Sequence, residues 1–147
     1  MMRACLVAVV LVTAGGCSGI RTYSNDAPKN LHVTTQTDGK VRAALHVHEV
    51  SGACATVYQG SLALDRPALE VGIPAARSAY LVVTFDTSSF MAGSRSTSVA
   101  TVLMPRAGYE YELAVSYKQD IYNVALREKD LRKRSSRELA RQPLAGC

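Results

Sequence analysis

His32, His46 and His48 stand near one another in the chain, and imidazole is the side chain best suited to take up Zn²⁺ or Cu²⁺. In the stretch from Val41 to His48, Val41, Ala43, Leu45 and Val47 alternate with Arg42, Ala44, His46 and His48. That period of two describes a half-buried strand, and it places His46 and His48 together on the wet face. Asp38-Gly39 just upstream predicts a hairpin back to the segment beginning at Leu31. A three-residue loop Thr37-Asp38-Gly39, with Gly39 left-handed, puts Leu31 and Val33 on the apolar face and His32 beside the other two histidines. A two-residue turn flips every side chain, and hydrophobic matching favours the odd loop. The trio is therefore a candidate metal site. The plainer alternative is three surface histidines on a solvated sheet, because no carboxylate or cysteine lies at a spacing that completes the ligand set.

A second candidate is a basic surface. Residues 127–141 carry seven Lys or Arg against three acidic side chains, a net +4. Arg132, Lys133, Arg134 and Arg137 are the candidate contacts, for anionic lipid headgroups, lipopolysaccharide phosphates or an acidic partner face. The alternative is a solvated segment that keeps the domain soluble. Tyr109, Tyr111 and Tyr117 share a period-two face with Leu113 and Val115, which reads as core and not as a ligand-stacking platform. No nucleophile is placed with a base: the Ser-rich segment 87–98 lacks Gly-x-Ser-x-Gly, and the spacing suggests no His–Asp pairing. The sequence thus predicts a non-enzymatic protein without a cofactor.

The amino terminus carries the most specific signal. Met1-Met2-Arg3 is followed by an apolar run over residues 4–14, too short to span a bilayer of about 30 Å as a helix. Such a run is the core of an export signal and is excluded from fold reasoning. It ends Thr13-Ala14-Gly15-Gly16-Cys17, which resembles the lipobox of bacterial lipoproteins, with Ala14 where leucine is commonest. The resemblance implies cleavage before Cys17, a diacylglycerol thioether on its sulfur and acylation of the new amino group. Ordinary secretion with an unmodified Cys17 is the alternative. Ser18 stands where aspartate would signal inner-membrane retention in that family, so the resemblance implies the outer membrane, with the domain facing the periplasm. Of the four cysteines, Cys5 leaves with the signal and Cys17 carries lipid. The remaining pair, Cys54 and Cys147, is expected to form one disulfide in an oxidising compartment, two unpaired thiols being the alternative.

These features require an exported domain. Residues 1–16 read as the signal, 17–30 as a lipidated polar tether, and 31–147 as one domain. Strands are predicted from Leu31, over 41–48, near Thr56–Leu64 and Leu69–Ile73, at Ala79–Asp86, Ser98–Met104 and 109–117, and over Ile121–Arg127. Residues 87–97 read as a polar loop, and 128–141, which lacks alternation, as a short helix. Seven or eight short strands imply an all-β antiparallel sandwich with a possible C-terminal helix. Pro105 to Gly108 followed by Tyr109-x-Tyr111 and an apolar strand resembles segments of transthyretin-like and immunoglobulin-like domains, which implies architecture alone. The expected role is non-catalytic binding or structural contact in the cell envelope, with the membrane held through Cys17 and an envelope protein as partner. Nucleic acid is excluded by compartment. Two further readings are an accessory lipoprotein subunit of an envelope secretion machine, as in the small transthyretin-like lipoprotein of type VI secretion systems, and a periplasmic metal-binding protein using the histidines.

Overall fold

The alternating pattern folds as period-two strands must, with one face of each sheet buried against the other. The computed structural model describes residues 20–89 and 93–146. Its nine strands are β1 (Lys29–Thr37), β2 (Val41–Val50), β3 (Thr56–Ala63), β4 (Ala68–Gly72), β5 (Ala79–Ser89), β6 (Gly93–Leu103), β7 (Tyr109–Lys118), β8 (Ile121–Asp130) and β9 (Ser135–Leu139). They form a five-stranded sheet in the order β4-β1-β7-β8-β9 and a four-stranded sheet in the order β3-β2-β5-β6. Neighbours are antiparallel except β1 and β7, which run parallel with Leu31 opposite Tyr111. The core lies between the sheets. Leu31, Val33, Leu45, Val47, Leu81, Val83 and Phe85 are nearly or wholly inaccessible, as are Tyr111, Leu113, Val115 and Tyr117, so the tyrosine face at 111 and 117 is core as expected.

The turn has three residues, an odd number as expected, but they are Asp38-Gly39-Lys40 and not Thr37-Asp38-Gly39, with Gly39 at φ +79° and the Lys40 amide donating to Asp38 Oδ1. The turn does not close a hairpin. β1 pairs with β4 and β7, and β2 pairs with β3 and β5, so the loop carries the chain from one sheet to the other. Both strands keep their apolar faces inward, because two sheets facing each other satisfy that pattern as well as one hairpin does.

Three further expectations are corrected. Residues 87–89 and 93–97 are strand and not loop; positions 90–92 lie outside the described residues. The ladder between β5 and β6 runs from Ala79–Leu103 out to Ser89–Gly93, because Thr- and Ser-rich chain forms strand readily when it has a partner to pair with. No short helix covers 128–141. β8 continues to Asp130, a turn at 131–134 reverses the chain with Arg134 at φ +53°, and β9 pairs back onto β8. A three-residue 3-10 turn, Leu144–Gly146, follows. The expected tether is largely structural as well. The amide of Tyr23 donates to the Ser61 carbonyl, the Ser61 amide donates to the Arg21 carbonyl, and Tyr23 is buried. Residues 21–28 thus form a strap along the β3 edge.

The two chain ends close opposite sides of the sandwich. The strap bridges the sheets between β3 and β4: Tyr23 Oη donates to the Gly72 carbonyl, and the Ala27 amide donates to Asn25. On the other side the tail after β9 crosses to β6. There the Val102 amide donates to the Gln142 carbonyl, and the Gln142 amide donates to Thr101 Oγ1.

Candidate functional site

Strand directions sort the loops into two ends. The proximal end holds the turns at 51–55, 73–78, 104–108 and 131–134. The strap enters there too, since Thr22 pairs with Ser61 in the direction of β3, and β3 begins at that end. The distal end holds the turns at 38–40, 64–67 and 119–120 and the ends of β5 and β6.

The metal trio does not assemble. His46 and His48 lie on the outer face of the four-stranded sheet. His32 lies on the outer face of the other, where its Nδ1 is 3.6 Å from Glu70 Oε1. The whole thickness of the core separates them, because β1 and β2 went to different sheets. Among the described residues no group of three or more His, Cys, Asp or Glu side chains is placed to hold a metal ion. His46 and His48 belong instead to a small aromatic patch. His48 meets Tyr58 and Tyr80 edge-on at centroid distances of 5.3 and 5.9 Å, and His46 Nε2 is 3.1 Å from Thr84 Oγ1. Partial burial, and then the neighbouring His46, push the His48 imidazole below its ordinary value of 6.5. Cys54 is disulfide-bonded; its expected partner Cys147 lies outside the described residues, as do Cys5 and the lipid acceptor Cys17.

The basic candidates fall at the proximal end, divided between two tasks. Glu128 sits on the inward face of β8 and is buried. Arg106, from the turn before β7, donates to its Oε1, Arg137 on β9 donates to the same oxygen at 3.0 Å, and Tyr111 Oη donates to Oε2 at 3.3 Å. The Arg106 guanidinium also lies 3.9 Å above the Tyr109 ring centre, a cation–π contact. Arg137 is thus a structural partner of the core's one buried carboxylate among the described residues. Arg132, Lys133 and Arg134 are not so engaged. Their turn is pinned by Asp130, whose Oδ1 accepts from the Arg132 and Lys133 amides, and the three side chains stand in solvent.

Burial opposes ionisation of Glu128, but hydrogen bonds from Arg106 and Arg137 outweigh it and hold the carboxyl below its ordinary value of 4.5. A carboxyl depressed in the folded state stabilises the fold above its unfolded value, and that contribution is lost as pH falls through the folded one. Stability is therefore expected to decline as pH drops below 4.5. Glu128→Gln is expected to lose about 1–3 kcal/mol at pH 7 and to flatten the acid decline. Urea unfolding at pH 7 and pH 3 checks this; an unchanged pH slope in the variant would reject the role given to Glu128.

The distal end holds a cleft of 810 Å³ between the sheets, lined by Lys40, Arg42, Arg95, Thr97, Tyr117 and Tyr122 among others. Inward positions along β5 and β6 change there from Val83, Phe85 and Val99 to Thr87, Thr97 and Arg95, so the sheets separate instead of packing. Tyr117 Oη donates to Asp120 at 2.6 Å, and that bond raises the phenol to about 12, so it stays protonated. The sequence marks residues 87–98 as a candidate contact surface but reads 87–97 as a loop, and so does not place the cleft. The alternation Arg95, Thr97, Val99 was the signal that could have found it.

The arrangement is a transthyretin-like sandwich. Sparus aurata transthyretin superimposes with a TM-score of 0.50 over 69% of this chain and 99% of that one, at 14% identity. Sea bream transthyretin in complex with thyroxine gives 0.47 over 66% and 93%, at 15% identity. At such identity the likeness is one of fold. No family model matches the chain, and no curated protein is similar to it.

Proposed function

We propose that this chain is a lipid-anchored, non-catalytic binding domain of the cell envelope, held in the outer membrane through Cys17 and presenting its distal end to an envelope protein. The observation that carries this is the juxtaposition at the amino terminus. An apolar run ending Ala14-Gly15-Gly16-Cys17 stops four positions before Arg21, whose carbonyl already bonds into the sandwich. An anchor there holds the domain close to the bilayer and raises its effective concentration for partners in the same layer. Two or more acyl chains give stable anchoring where one is marginal. The distal cleft is the contact surface, because it is the large polar concavity facing away from the strap, with cations from Lys40, Arg42 and Arg95 set beside tyrosine rings.

Mass spectrometry of the protein isolated from membranes is expected to find an acylated amino-terminal peptide beginning at Cys17. A chain retaining Met1, or a bare thiol at position 17, would overturn the anchor. Capture from solubilised envelopes is expected to retain a specific protein with the unaltered chain and to lose it with R42E/R95E. Equal recovery with both would remove the cleft as the contact.

A second reading, an accessory subunit of an envelope secretion machine, is favoured by the transthyretin-like sandwich, the architecture of the small lipoprotein of type VI systems. Recovery of secretion-machine components in the same capture separates it from the general reading.

A further inference from the structure

Of the six large apolar side chains that stand exposed among the described residues, Val57 at 58%, Met104 at 64% and Leu131 at 46% lie at the proximal end, Tyr58 is next to Val57, and Ile20 at 83% lies on the strap as it comes in from that side. One, Ile121, is at the distal end. Soluble surfaces carry single exposed apolar residues freely, but several at one end, beside cations, form a pattern that calls for a partner. Leu131 opens the same turn as Arg132, Lys133 and Arg134. None of the ion pairs among the described residues takes up these three charges, whereas Arg77, Arg106, Lys129 and Arg137 are each matched by a carboxylate. The turn is also held in shape. Asp130 accepts from two of its amides, and the Leu131 amide donates to the Gly108 carbonyl, so the charges are displayed on a fixed base. Ile20 marks where the chain enters this end, and the strap hydrogen bonds fix its direction. From Ile20 back to Cys17 is three residues, which reach at most roughly 11 Å when extended.

We propose that the proximal end docks flat against a phospholipid bilayer, with Leu131 and Met104 entering the interface and Arg132, Lys133 and Arg134 pairing with the phosphodiesters of anionic headgroups. The proposal rests on the anchored reading above, since lipid at Cys17 decides which surface meets the membrane. It adds that the domain has one fixed orientation there instead of swinging on a leash. The physical logic is that of two weak signals joined: apolar side chains at headgroup depth, and a short basic cluster whose attraction to an anionic surface acts within a Debye length of about 8 Å at physiological salt. The short reach from Cys17 to Ile20 keeps the sandwich near the bilayer, and the cluster lies at the end from which the strap enters. The same orientation points the distal cleft away from the bilayer.

The test uses the full chain, processed by cells, purified and reconstituted into vesicles rich in phosphatidylglycerol or made of phosphatidylcholine alone. An environment-sensitive fluorophore is attached at Met104→Cys, Leu131→Cys or Ile121→Cys, and quenching by brominated acyl chains reports depth. Quenching is expected at positions 104 and 131 and not at 121. It is expected to fall to the 121 level in phosphatidylcholine vesicles and in R132Q/K133Q/R134Q, while the protein still sediments with the vesicles. Vesicle-bound protein with quenching absent at 104 and 131, or equal at all three positions, would overturn the docking face and leave the anchor standing. Protein without lipid on Cys17 that still shows quenching at 104 and 131 would overturn the anchor and keep the face.

Discussion

Gly60→Ala is expected to destabilise the domain by about 3 kcal/mol or more, an unusual cost for one methyl group on an edge strand. The reason is the strap. A Cβ at Gly60 would lie 2.6 Å from the Cα and the N of Tyr23, and 2.9 Å from the Arg21 carbonyl oxygen, all of them backbone atoms that no rotamer change can move aside. Gly60 also sits at φ +146°, which residues with a Cβ adopt only under strain of roughly 1–3 kcal/mol. The strap must lift, and with it goes the burial of Tyr23, worth roughly 1.5–3 kcal/mol for a large side chain. Gly39→Ala is the control. It too has a positive φ, +79°, but nothing lies within 4 Å of its Cβ, so only about 1–2 kcal/mol of backbone strain is expected. Urea midpoints for the two variants, with amide exchange at Tyr23 and Ser61, make the comparison. If Gly60→Ala costs no more than Gly39→Ala and the two amides stay protected, the strap is not the close-packed element described.

Phe85→Ala is expected to lose about 3–5 kcal/mol, the range for emptying an aromatic side chain from a closed core. Phe85 is fully buried. Its ring centre lies 5.0 Å from that of Tyr122, which lies 4.9 Å from that of Tyr117, so three rings run from one sheet into the other. Tyr117 and Tyr122 line the distal cleft and Phe85 packs against Tyr122 in the core, where apolar packing gives way to polar side chains. The variant is thus expected to weaken partner capture as well as stability. Tyr122→Phe keeps the ring and is expected to change stability by less than about 1 kcal/mol, since it preserves the packed volume. Thermal unfolding of the two variants checks this; a loss below about 1.5 kcal/mol for Phe85→Ala would mean that the site collapses around the gap and the rings do not hold the sheets together.

Much of the fold was legible because its strands have one wet face. Tyr109 to Tyr117 and Val41 to His48 alternate so regularly that strand and buried face follow directly, and both are as expected. Sheet membership did not follow. Nothing in the residues around Asp38-Gly39 distinguishes a hairpin from a crossing between sheets, since both bury the same side chains, and the histidine trio fell with that ambiguity. Ser94 to Ser98 and Ser135 to Leu139 form strands through their ladders with β5 and β8, a partner effect that short polar stretches do not announce. The strap was misread for a related reason. Residues 18–30 look like linker by composition, and only the bonds to Ser61 and Gly72 reveal that half of them are wall. Of the basic candidates, sequence could not tell that Arg137 serves a buried glutamate while its neighbours face solvent, because Glu128 alternates inward only once β8 is extended to Asp130.

The parallel pairing of β1 with β7 sets the order in which the protein can be built. Leu31 and Val33 have no lateral neighbour on that side until Tyr111 and Leu113 arrive, and the far seam stays open until Gln142 reaches Val102. A chain threaded through an export channel from its amino terminus would therefore emerge with its first strand waiting for most of the rest. Such long-range closure makes for slow folding and a prolonged exposure of unpaired strand edges. Chaperones that shield those edges would be needed most for this kind of topology, and truncations near the carboxyl end should be far more damaging than their few residues suggest.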